Sequence, residues 1–146
     1  MTGVQTCALP ISPEINSIKS SGAASVKVKD VLKSNGRIMM EASGSADITA
    51  EVDAPEIKAE ASGASDIALS GRTKNYTASA SGSADIKSSD LQSENTVVEA
   101  SGASSVHVYA SVSLKAGASG SASVYYKGGA TVQQKTSGAA DIKKED

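Results

Sequence analysis

Few side chains in this sequence carry reactive groups, and their spacing limits what they can do. His107 is the only histidine. It stands two residues before Tyr109, and Tyr125 has the same offset from its local Ser-Gly as His107 has from its own. On strands these rings face outward, so His107 and Tyr125 are expected to stack. A His107/Tyr109/Tyr125 patch would give a sugar an amphipathic contact surface; plain ring packing on a solvated face is the simpler expectation. Asp47, Asp66, Asp85 and Asp141 each follow a Ser-Gly serine by four residues, a place taken elsewhere by Ser25, Ser105 and Ser123. Carboxylates stacked about 5 Å apart repel, and Ca²⁺ could relieve this, which makes Asp47, Asp66 and Asp85 weak metal candidates. An Asx-type hydrogen bond to the local corner explains them as well. Serine shares that role but is a poor calcium ligand, so no metal and no other cofactor is expected. The many serines lack a partnered histidine, as nucleophilic catalysis would need. Asp66, Arg72 and Lys74 could be grouped as a lyase-like set, but nothing selects them. No enzyme is expected.

The elements that position these residues come from a repeat. Seven near-copies of one heptapeptide run along the chain, from SSGAASV at Ser20 through ASGSADI at Ala42 to TSGAADI at Thr136. Their glycines are Gly22, Gly44, Gly63, Gly82, Gly102, Gly120 and Gly138, separated by 18 to 22 residues. A recurring period of this kind signals a solenoid. On either side of each Ser-Gly the apolar residues alternate, as in Ile38, Met40, Ala42 and then Ile48, Ala50. Period two with β-branched residues is the strand signature. Turn-like stretches separate the runs at Lys33-Ser34-Asn35-Gly36, Asp53-Ala54-Pro55 and Lys127-Gly128-Gly129.

A unit this short has no room for a βαβ crossover. The consistent architecture is all-β: a right-handed parallel β-helix (β-solenoid) of about seven coils of 18–22 residues. Val26, Ile48, Ile67, Ile86, Val106, Val124 and Ile142 should then stack in its thin core. The Ser-Gly corner should repeat on itself, with Gly supplying a positive φ. Replacement of Gly82 is accordingly expected to cost more than replacement of Gly36 or Gly71, which lie outside the motif.

Composition fits a thin core. The chain of 146 residues has 23 Ala, 26 Ser and 13 Gly, four Tyr and no Phe or Trp. A core of large side chains is excluded, and so is an apolar run long enough for a transmembrane helix. Fourteen basic residues nearly cancel 16 acidic ones, against the basic stripe of a nucleic-acid binder. Residues 1–11, with the lone Cys7, share nothing with the repeats. They resemble a translated sequencing adapter and are expected to be a non-native leader, so Cys7 carries no redox argument. Residues 12–146 then form one β-solenoid domain, expected to lack its native N-terminal part.

The recurring A-S-G-A/S-S/A-D/S-I/V unit resembles the C-terminal half of the putative auto-transporter adhesin "head GIN domain" family. The resemblance implies a right-handed β-helix and a Gram-negative envelope protein: periplasmic, on the outer membrane or cell surface, or secreted. It also implies an export signal, with a lipid anchor in some members, upstream of this sequence. The expected function is a non-enzymatic structural or adhesin-like module with a cell-surface or polysaccharide partner. The alternative is a polysaccharide-binding or polysaccharide-processing β-helix. A missing upstream cap would leave the first coil open near Val26 and Val28 and favour self-association there.

Overall fold

The computed structural model describes residues 17–29 and 31–145; the expected leader and Cys7 lie outside them. Alternating in-out burial runs through almost every segment, and the chain answers with strands: β1 (Ser17–Gly22), β2 (Ser25–Lys27), β3 (Leu32–Lys33), β4 (Arg37–Gly44), β5 (Asp47–Ala61), β6 (Asp66–Ala80), β7 (Asp85–Ala100), β8 (Ser105–Tyr109), β9 (Ser113–Gly120), β10 (Ser123–Lys127), β11 (Thr131–Gly138) and β12 (Asp141–Lys144). Every pairing is parallel, each strand lying against its equivalent one repeat away. This is a β-solenoid of about seven coils. At the strand spacing of about 4.8 Å the stack is roughly 30 Å long.

Two sheets meet at the corner. Strands entering it are β1, β4, the second halves of β5, β6 and β7, then β9 and β11. Strands leaving it are β2, the first halves of β5, β6 and β7, then β8, β10 and β12. The ladder Val26, Ile48, Ile67, Ile86, Val106, Val124 and Ile142 stacks in register as the repeat requires. All but Ile142 are at most 1% exposed. Full burial of one such side chain contributes roughly 1.5–3 kcal/mol, so this column supplies a large part of the cohesion. A second column, Ile38, Ile57, Tyr76, Thr96, Leu114 and Val132, stacks across the other sheet.

The corners are held by backbone hydrogen bonds between coils. The N–H of Ser83 donates to Gly63 O, that of Ala103 to Gly82 O and that of Ser121 to Gly102 O, each at 2.8 Å. The seven corner glycines have φ between 77° and 81°. The residue two places after each glycine is inside the corner and is Ala or Ser. Ala46, Ser65, Ala84, Ser104 and Ala122 are at most 1% exposed. Where it is Ser, the hydroxyl donates to the carbonyl just before the glycine, Ser65 to Ser62 O (3.0 Å) and Ser104 to Ser101 O (3.1 Å). A buried hydroxyl satisfied at home costs little, so the two residues exchange freely here.

Three features differ from the sequence expectation. Asp53-Ala54-Pro55 is not a turn but part of β5, where Pro55 is skipped in the register and exposed; lacking an N–H, it fits there because it has nothing to give the ladder. Gly71 is as constrained as the motif glycines, with φ 117° and its ideal Cβ position 1.9 Å from Val52 O. The register between β6 and β7 shifts by one between Ala68 and Ser70, because the coil from Gly82 to Gly102 is one residue longer than the coil before it.

The two ends of the stack are unequal. In the first coil Ile18 and Val26 are 1% exposed. In the last, Val132 and Ile142 are only partly buried, and most of β11 is exposed. Among the described residues, the more open end of the core is that of the last coil rather than the surface near Val26 and Val28.

Candidate functional site

The rings singled out in the sequence divide between two places. His107 and Tyr125 are in register on β8 and β10 and stack with centroids 4.7 Å apart and planes 15° apart. Their column continues to Lys87 on one side and Lys143 on the other, and His107 Nδ1 lies 3.5 Å from Glu145 Oε2. Tyr109 belongs elsewhere. It lines a recess of about 460 Å³ with Asp53, Arg72, Lys74 and Glu94. Asp66 faces neither: it lies in a shallow trough with Asp47, Lys27 and Lys87. The grouping of Asp66 with Arg72 and Lys74 is therefore not brought together.

Asp47, Asp66 and Asp85 stand in register on neighbouring coils. Among the described residues, no three His, Cys, Asp or Glu side chains converge closely enough to hold a metal ion. No backbone N–H is seen to donate to these carboxylates, and alternate corner N–H groups are taken by carbonyls of the previous coil, as Ala64 N–H to Gly44 O (2.8 Å) and Asp66 N–H to Ala46 O (3.0 Å). The carboxylates instead face water, and Asp47 accepts from the Ser25 hydroxyl at 3.5 Å.

A long concavity was not anticipated. A groove of about 840 Å³ runs along the axis beside the corner, across all seven coils. It forms because three adjacent positions repeat on every coil. The middle one points inward and is Ala in five coils (Ala42, Ala61, Ala80, Ala100, Ala118), 2–4% exposed, so the floor is backbone carrying small side chains. One wall is the serine before each glycine, from Ser21 in the first coil to Ser137 in the seventh. The other wall is a column in register: Lys19, Glu41, Glu60, Ser79, Glu99, Gly117 and Lys135. Lys19 pairs with Glu41 at 2.7 Å and Lys58 with Glu60 at 3.4 Å. The hydrogen bond and charge of Glu41 raise the Lys19 pKa above its ordinary value.

The serine wall has a sharp chemical feature. All seven repeats keep Ser at this place, while the buried corner position alternates between Ala and Ser. Yet none of the seven hydroxyls makes a hydrogen bond within the described residues. Their protein-side requirement is therefore not hydrogen bonding. The signal was present in the sequence as an unvarying Ser, but small size was a sufficient reason for it there.

Comparison with known proteins turns on the repeat. The family model for the putative auto-transporter adhesin, head GIN domain, matches residues 11–130. The chain belongs to this family. Three solved structures have the same fold. A putative lipid binding protein from Parabacteroides distasonis is 23% identical with a TM-score of 0.86, over 91% of this chain and 55% of that one. A putative adhesin from the same organism is 26% identical with a TM-score of 0.84, over 90% of this chain and 56% of that one. A putative adhesin from Bacteroides fragilis is 22% identical with a TM-score of 0.80, over 92% of this chain and 62% of that one. The head GIN domain chain described here thus spans little more than half the length of these relatives. No curated protein sequence matches it. Among the described residues no helix is long and apolar enough to cross a membrane.

Proposed function

We propose that this chain is a non-enzymatic, adhesin-like module of the cell envelope, and that the long groove is its working surface. One observation carries the reading: seven serine hydroxyls, unvarying through the repeat and without a hydrogen bond among the described residues, line a groove continuous from first coil to last. A parallel ladder makes a rigid rod, and the rod holds those hydroxyls at fixed intervals of about 4.8 Å. Such a surface suits multivalent attachment, in which weak identical contacts add along a polymer. The names of the family and of the similar solved structures, adhesin or lipid binding, support an envelope setting.

The test is adhesion of protein-coated beads to bacterial cell surfaces. Ser81→Arg, which fills the groove at the middle coil, is expected to abolish attachment. Ser83→Arg, two residues away on the exposed corner tip, should leave it intact. Equal attachment by both variants would remove the groove from the function.

A further inference from the structure

We infer that the groove takes a linear glycan without acidic groups, laid along the solenoid axis; this rests on the groove being the working surface. Three properties of the walls select that class. First, each serine hydroxyl is both donor and acceptor, and the opposite wall adds carboxylate acceptors at Glu60 and Glu99. A chain carrying hydroxyls on every unit can satisfy both walls at each coil. Second, the groove offers no strand edge. It runs across the strands, whose N–H and C=O groups are already paired between coils, so a peptide cannot add to the sheet there as peptides do at an open edge. Third, the walls carry no large apolar side chain. An acyl chain would desolvate serines and glutamates and give them no partner, which is costly.

Charge narrows the class. Glu41 and Glu60 are paired with Lys19 and Lys58, whereas Glu99 has no ion pair among the described residues. The lining holds three carboxylates, Glu41, Glu60 and Glu99, against the ammonium groups of Lys19 and Lys135, so a uronate or phosphate-bearing polymer gains no net attraction along it. With no aromatic platform in the groove, affinity must come from many small contacts. It should therefore grow with ligand length until the glycan spans the stack, roughly 30 Å.

Calorimetric titration with cello-oligosaccharides of increasing length tests this, with polygalacturonate and anionic phospholipid vesicles as comparators. Affinity is expected to rise with length and then level off, with neither comparator binding in the groove. The variant Ser62→Ala/Ser81→Ala/Ser101→Ala should bind more weakly by roughly fivefold per hydroxyl lost. Ser83→Ala should bind as the parent does, and an unchanged melting temperature shows that the triple variant is folded. Length-independent binding, equal binding of polygalacturonate, or a preference for vesicles would overturn the glycan assignment. If no glycan binds while Ser81→Arg still blocks bead adhesion, the ligand class is wrong and the groove reading survives. If Ser81→Arg leaves adhesion intact, the groove reading itself has failed.

Discussion

Replacing Gly82 by Ala tests how the corner is built. At φ 81° an L residue carries a penalty of roughly 1–2 kcal/mol. The new Cβ would sit 2.8 Å from the Gly63 carbonyl oxygen, closer than real contacts allow, so the corner must open. Opening it weakens the bond from Ala103 N–H to Gly82 O, now 2.8 Å, a loss of about 1 kcal/mol. Alanine also stiffens the unfolded chain, which returns about 0.4–1 kcal/mol. The net expectation is a destabilisation of about 2 kcal/mol, or a urea midpoint lower by about 1 M. Gly71→Ala should be worse, because its Cβ would lie 1.9 Å from Val52 O at φ 117°. Gly36→Ala meets nothing within 4 Å and should stay within about 0.5 kcal/mol of the parent. Urea unfolding followed by circular dichroism ranks the three. A Gly36→Ala loss equal to that of Gly82→Ala, or a Gly71→Ala milder than Gly82→Ala, would refute the reasoning.

Tyr76 is 1% exposed, and among the described residues its buried hydroxyl has no well-formed hydrogen bond, the nearby Ser88 hydroxyl donating to His107 O instead; Tyr76→Phe should therefore stabilise the fold by up to about 1 kcal/mol in urea titrations. Burial raises its pKa far above the ordinary 10.0, tempered by the nearby Ser88 hydroxyl. Its stabilising effect is therefore complete below pH 10 and is lost as the unfolded chain ionises above it, at up to about 1.4 kcal/mol per pH unit; Tyr76→Phe should flatten that alkaline decline. Millimolar Ca²⁺ should not move the melting temperature, since a native-state site would raise it; a rise would restore Asp47, Asp66 and Asp85 as ligands. If copies associate end to end, light scattering should show that Ile142→Lys suppresses association and Val28→Lys does not, because the last coil has the more open core.

The stack was legible in the sequence because a solenoid repeats its own constraints. Each corner needs a positive φ, so Gly recurs; the core column after the corner keeps a β-branched residue in every coil, so Val26 through Ile142 line up before any coordinate is known. What stayed hidden depends on relations between coils that no single unit displays. Gly71 has no motif around it, and only the approach of Val52 O shows why it must be glycine. Tyr76 sits among Lys74, Asn75 and Thr77, a polar context that masks a core position. The amide ladder from Asn75 to Asn95 (3.2 Å), extended by Ser113 (2.9 Å), needs the register of three coils. The groove was the largest omission. Its serines could be explained by size alone, and only the coil register shows seven hydroxyls aligned in one groove with no partner among the described residues.

Cysteine footprinting tests the groove most directly. Single cysteines in place of Ser43, Ser81 and Ser119 on the groove wall, and of Ser45, Ser83 and Ser121 on the corner tips, would be labelled with a thiol reagent in a background with Cys7→Ser. Labelling rates are compared between protein free in solution and protein adhering to bacterial surfaces. The account predicts that all three wall positions become protected together while the three tips keep their free rates. Protection of the tips with the wall still reactive, or no difference between the two sets, would contradict it.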